Sequence, residues 1–167
     1  NCENIRFHPN LYENGKVCLS LLNTWSGDQW SSCQTISSIL LTICSILDNN
    51  ALLNEPGVSL EYKGVEIYNK LIEYKNIELT ILRVFTKHPS IYVPEFEQFY
   101  DIIYERFYKN ADKILKLLET KINIKPMALQ MEYYYANKIW IDYKQLFNNF
   151  KKIKETVIEV NKNDKNT

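Results

Sequence analysis

The sequence predicts an α+β chain that is mainly helical, on three observations. Asn4 to Phe7 read as the end of a strand. His8 to Ser32 is dense in turn formers, with Pro9-Asn10, Glu13-Asn14-Gly15 and Ser26-Gly27-Asp28. Beyond Ser32, apolar residues recur at helical spacing almost to the end of the chain.

A loop of the length of His8–Ser32 inside an ordered chain is where function tends to reside. The first helix is predicted from about Thr35 to Leu47, because Ile36, Ile39, Leu40, Ile43, Ile46 and Leu47 fall on helical spacing. Asp48-Asn49-Asn50 ends it, and Asn54-Glu55-Pro56-Gly57 marks a turn. A second helix is predicted from about Val65 to Lys87, with Leu71, Ile72, Ile81 and Leu82 inward and His88-Pro89 as its stop. A third begins near Pro94, with Glu95 and Glu97 at its positive end. Its stripe is Phe96, Phe99, Ile103 and Phe107, continued by Ile114, Leu117, Leu118 and Ile122 until Pro126 interrupts. A last helix is predicted over about Trp140 to Val160, followed by a polar, frayed tail from Asn161 to Thr167. The aromatic stripes, Tyr133-Tyr134-Tyr135 included, read as core faces of helices rather than as a stacking surface for ligands.

Composition narrows the function. The 167 residues contain 46% hydrophobic and 24% charged residues, enough apolar material for a packed core. Lys plus Arg and Asp plus Glu each number 20, so no net charge draws the chain to nucleic acid or to an anionic membrane. No apolar stretch reaches membrane-spanning length. Cys2, Cys18, Cys33 and Cys44 form no Cys-x-x-Cys pair, and His8 and His88 lie far apart, so no metal site is expected. Free thiols without a secretory signal fit the cytosol or nucleus. Position 1 is Asn rather than Met, and the sequence is expected to start partway into a longer protein.

Cys18 alone, within Val17-Cys18-Leu19-Ser20-Leu21-Leu22, reads as a small hydrophobe. Its surroundings alter that reading. His8-Pro9-Asn10 precedes it with Gly15 between, Trp30 follows, and Gln34 to Leu47 then forms a helix. This arrangement resembles the ubiquitin-conjugating enzymes, in which a His-Pro-Asn motif precedes the active-site cysteine and a tryptophan-led loop enters a helix. The resemblance is tight from His8 to about Pro56. Leu11 to Gly27 and Asn54-Glu55-Pro56-Gly57 are most similar to the large subgroup with a helical C-terminal extension, and next to the giant hybrid ligases.

The resemblance implies a fold with an initial helix and a four-stranded meander, of which only the last residues would be present here. The chain is therefore expected to be a UBC-like fold lacking its first helix and most of its sheet, mainly helical, with an apolar face left exposed. The expected organisation is residues 1–90 as catalytic half, 91–160 as helical C-terminal extension and 161–167 as polar tail. The resemblance also implies that Cys18 accepts ubiquitin, or a ubiquitin-like modifier, as a thioester and passes it to a lysine. Asn10 would stabilise the oxyanion or the adjacent loop. His8, where the large subgroup has Asn, would order the loop. Glu55 would orient the incoming lysine or solvate its turn. Trp30, Ser31 and Ser32 would form the ligase-contact loop, although the family usually has Pro at position 32. Cys33 and Cys44 read as packing residues. A ubiquitin-activating enzyme is the implied partner, and a ubiquitin ligase a further one; no cofactor is implied. The rival reading is a non-catalytic module that uses the same fold to hold ubiquitin or another partner.

Overall fold

The computed structural model describes residues 5–86, 94–131 and 135–164, without the side chains of 135–137 and 158–164. The chain divides into two compact units. Unit 1 is Asn1–Glu73 with Gln130–Asn137, and unit 2 is Tyr74–Leu129 with Lys138–Thr167.

Unit 1 opens on a loop region, not a strand: Ile5 to Phe7 carry no strand pairing, and only isolated bridges join His8 to Leu11 and Leu11 to Val17. A strand needs a neighbour to pair with, and the described residues offer these none. A short 3-10 helix, Ser20–Leu22, follows Cys18. Helix α1 (Ile36–Ile46) starts where predicted because Thr35 closes a capping box. The Thr35 hydroxyl accepts from the Ser38 N–H at 3.2 Å, and the Ser38 hydroxyl accepts from the Thr35 N–H at 2.9 Å.

No residue of α1 is buried, and Ile36, Leu40, Leu41 and Leu47 stand in solvent. Such an exposed apolar face was expected. The packing role expected for Cys33 and Cys44 is overturned, since both are exposed. After a 3-10 segment (Ala51–Asn54), Gly57 turns the chain at φ +85°, where an L side chain would be strained. Helix α2 (Gly64–Lys75) then starts, and its Tyr68 and Leu71 join Ile5, Leu19, Leu21 and Leu52 among the buried residues of unit 1.

The predicted second helix is one continuous run, but its regularity was overstated. A π-helical segment (Asn76–Leu82) separates α2 from the last turn, α3 (Arg83–Phe85). Leu71 and Leu82 are buried as predicted, whereas Ile72 and Ile81 are half-buried. The stop at His88-Pro89 lies outside the described residues.

Pro94–Phe99 forms a 3-10 helix leading into α4 (Tyr100–Glu119). That corrects the predicted stripe. Three residues per turn do not continue a 3.6-residue stripe, so Phe96 and Phe99 are exposed. Tyr100, Phe107, Ala111 and Leu118 form the buried face, while Leu117 is exposed.

The extension is not all-helical. Met127–Met131 (β1) and Tyr135–Ile141 (β2) form a two-stranded antiparallel sheet. Tyr135 and Trp140, read as helical, therefore belong to a strand; Tyr133 and Tyr134 lie outside the described residues. The final helix, α5 (Tyr143–Asp164), starts after Asp142. The Asp142 carboxylate accepts from the Gln145 N–H at 2.9 Å, and its carbonyl accepts the Leu146 N–H at 3.0 Å, which makes it the cap. The helix continues to Asp164, so the tail read as frayed from Asn161 is helical over those residues.

Unit 2 is held by rings: Phe107 lies 4.2 Å from Phe85 and 5.6 Å from Phe150, and Tyr74 meets Tyr143 edge-on at 5.4 Å. The Tyr108 hydroxyl donates to the Val157 carbonyl at 2.6 Å, tying α4 to α5.

Candidate active site around Cys18

Asn10 and Cys18 are joined twice, once between main chains and once through the Asn10 side chain. The Cys18 N–H donates to the Asn10 carbonyl at 2.8 Å, and the Asn10 side-chain amide donates to the Cys18 carbonyl at 2.7 Å. The amide of Asn10 is thus committed to shaping the loop, while its Oδ1 is buried with no hydrogen-bond donor among the described residues. Cys18 itself is 3% exposed. It lines a cavity of about 150 Å³ with Arg6, Asn10, Tyr12, Trp25 and Glu55. The structure therefore brings together three of the predicted site residues, Cys18, Asn10 and Glu55.

His8 is fully buried and does not line that cavity. The Asn10 N–H donates to its Nδ1 at 3.1 Å, and the Asn54 amide nitrogen lies 3.4 Å from its Nε2. Burial lowers its pKa below 6.5; a hydrogen bond to the Ile46 backbone and the Asp48 charge oppose this, and Arg6 adds to it. A histidine kept neutral by the fold stabilises it fully above the unfolded pKa. That contribution is lost as pH falls through about 6.5 and on towards the lowered folded value. The thermal midpoint should therefore fall between pH 7.5 and pH 5, and less steeply in His8→Asn; parallel slopes would contradict this role.

Trp30, Ser31 and Ser32 are exposed and lie outside the cavity. The Trp30 N–H donates to the Asn23 Oδ1 at 3.1 Å, so the start of this loop is anchored while Trp30 itself remains 45% exposed.

Sequence reasoning missed several residues. Thr24 accepts the Leu19 N–H at 2.9 Å and donates to the Val17 carbonyl at 2.6 Å, clamping the main chain on both sides of Cys18. Asn23 makes this possible by turning at φ +57°, a conformation that asparagine tolerates. A polar Asn-Thr pair directly after the apolar run was the available signal. Thr24→Val keeps the side-chain shape and removes both bonds, so urea unfolding should show a loss of about 1–3 kcal/mol. Arg6 and Tyr12 were also missed. The Arg6 guanidinium stacks 4.0 Å above the Tyr12 ring centroid, and its Nη2 lies 3.8 Å from the Glu55 Oε2. Among the described residues no cluster of His, Cys, Asp or Glu is arranged for a metal ion, and no helix is long and apolar enough to cross a membrane.

Comparison with known proteins bears on the same segment. The sequence model of a family described as "Ubiquitin-conjugating enzyme" matches residues 1–75. Human "Ubiquitin-conjugating enzyme E2 Z" is 44% identical over 79 residues, covering 46% of this chain and 22% of that protein. "Probable ubiquitin-conjugating enzyme protein 17" of Caenorhabditis elegans is 31% identical over 131 residues, covering 72% of this chain and 17% of its own length. "Probable ubiquitin-conjugating enzyme E2 R521" of Acanthamoeba polyphaga mimivirus is 34% identical over 140 residues, covering 77% of this chain and 9% of its own length. The chain thus spans a quarter or less of these proteins. The last two similarities are too long to end at residue 75, so they reach into the segment that forms α4.

Proposed function

We propose, from the premise that the chain belongs to the ubiquitin-conjugating enzyme family, that Cys18 carries ubiquitin or a ubiquitin-like modifier as a thioester and passes it to a lysine. The observation that supports this most is the double bonding of Asn10 to Cys18, which sets the asparagine of His8-Pro9-Asn10 beside the cysteine.

The chemistry follows from the residue types. The Cys18 thiolate attacks the modifier's C-terminal carbonyl carbon, held as a thioester on the activating enzyme. A C–S bond to Cys18 forms, and the activating enzyme's thiolate leaves. A lysine amine then attacks the same carbon, the new C–N bond replaces the C–S bond, and the amine's lost proton is balanced by protonation of the departing Cys18 thiolate. Both steps pass through a tetrahedral oxyanion. In the transfer to lysine, the Asn10 amide reaches the oxyanion only by exchanging its 2.7 Å bond to the Cys18 carbonyl for it. Glu55, in the same cavity, supplies an acceptor for the incoming amine.

The activating enzyme is the partner for loading, and Trp30, Ser31 and Ser32 form the surface offered to a ubiquitin ligase. Free thiols at Cys18, Cys33 and Cys44 suit a cytosolic or nuclear protein. Incubation of the full-length protein with activating enzyme, ATP and ubiquitin should give an adduct that reductant removes; no adduct at any enzyme concentration would refute the assignment.

The 3% exposure of Cys18 favours a second reading, a non-catalytic module that holds ubiquitin or a partner. Such a module would bind ubiquitin non-covalently and form no adduct.

A further inference from the structure

We propose that Arg6 is a positioning residue for the second transfer, from the Cys18 thioester to the acceptor amine; this rests on Cys18 being the thioester carrier. One guanidinium joins two distant stretches of the chain. Its Nη2 donates to the Pro9 carbonyl, directly before Asn10. The same nitrogen lies 3.8 Å from the Glu55 Oε2, and the group stacks on the Tyr12 ring at 4.0 Å. Arg6 is itself fixed, since its carbonyl accepts from the Tyr68 hydroxyl at 2.9 Å and Tyr68 is fully buried.

Each of the two stretches contributes a residue with an oxygen acceptor to the lining of the cavity that Cys18 lines. One is Asn10 Oδ1, buried and without a donor among the described residues; the other is the Glu55 carboxylate. An attacking amine brings N–H donors, so these oxygens are the groups that can hold it on line with the thioester carbon. Arg6 sets their spacing, because it bonds beside the first and pairs with the second. The planar fork matters: an ammonium cannot donate to the Pro9 carbonyl, stack on Tyr12 and meet Glu55 at once.

The loading step involves no amine, so a positioning role divides the two steps where a merely structural role would not. The test uses wild-type, Arg6→Met and Arg6→Lys forms of the full-length protein. Each is loaded with ubiquitin, separated from the activating enzyme and discharged onto free lysine as probe. Loading rates should stay within about twofold of wild type, while discharge at a fixed lysine concentration slows about tenfold or more, because a displaced acceptor geometry costs rate steeply. Arg6→Lys should fail to restore wild-type discharge.

Equal losses in loading and discharge, or wild-type discharge in either variant, would overturn the proposal while leaving Cys18 as carrier. Absence of any adduct in wild type would overturn the carrier assignment and this proposal with it. Should Arg6→Met fail to fold, Arg6→Lys, Glu55→Gln and their combination carry the test. A double variant no worse than the poorer single supports a shared device, and additive losses overturn it.

Discussion

Cys18→Ser should convert a reductant-labile ubiquitin adduct into one that survives excess thiol, and Cys18→Ala should give no adduct. The substitution exchanges one sulfur for one oxygen in a buried residue and removes none of the main-chain hydrogen bonds around it. The Cys18 N–H still bonds the Asn10 carbonyl, and the Asn10 amide still bonds the carbonyl of residue 18. What changes is the bond formed. A serine alkoxide gives an oxygen ester, which thiols exchange far more slowly than a thioester; and because a hydroxyl is a weaker nucleophile than a thiol, the adduct should accumulate slowly. The assay is a denaturing gel of the charged protein with and without reductant. A labile band persisting in Cys18→Ser would place the thioester on another cysteine.

Asn10→Ala should have the second largest effect. Losing a donor to a developing oxyanion costs about two to three powers of ten in rate, even where, as here, the donor must first leave another acceptor. The structure adds a second cost: the 2.7 Å bond to the Cys18 carbonyl disappears as well, leaving that acceptor with one partner fewer. Single-turnover discharge onto lysine should therefore slow by about 10²–10³-fold, while non-covalent ubiquitin binding holds at the wild-type value. Unchanged discharge would show that Asn10 is a loop residue only, and equal loss of binding and discharge would show that the loop had collapsed.

Much of the site could be read in the sequence because it is local. Asn10, Cys18 and Trp30 fall within one loop region, and chain proximity with turn chemistry brings Asn10 to Cys18. Glu55 arrives from farther away, yet the Asn54–Gly57 turn announced itself by composition, and Gly57 adopts the conformation that such a turn needs. Arg6, Tyr12 and Thr24 escaped notice for a physical reason. Their roles depend on which carbonyl or ring lies across the loop, which no spacing rule encodes, although the Asn23-Thr24 pair after the apolar run was a cue for Thr24.

The fold divides in the same way. Helix α1 was legible to within a residue because Thr35 and Ser38 cap it through short-range bonds. The hairpin was missed because Met127-Ala128-Leu129-Gln130 carries no β-branched or aromatic residue. The tyrosines after it were assigned to helix by their apolar bulk alone. Phe96 and Phe99 misled for a different reason, as the 3-10 geometry after Pro94 breaks the helical period that the sequence pattern assumes.

The net charge is unevenly spread. Unit 1 holds four Lys and Arg against nine Asp and Glu, and unit 2 holds sixteen against eleven. Neutrality of the whole therefore conceals an acidic unit 1 and a basic unit 2, and the argument against charged partners does not carry over to each unit separately.

On the proposed function, the buried thiol, rather than an exposed one, takes the modifier. Cys33 and Cys44 are exposed and Cys18 is not, so indiscriminate thiol exchange would label Cys33 and Cys44 first. The decisive measurement is peptide mass mapping of the reductant-labile ubiquitin adduct after alkylation of the remaining free thiols. Cys18 as the carrier requires the modifier on the peptide bearing Cys18, with Cys33 and Cys44 alkylated. An adduct mapped to Cys33 or Cys44, with Cys18 alkylated instead, would contradict it.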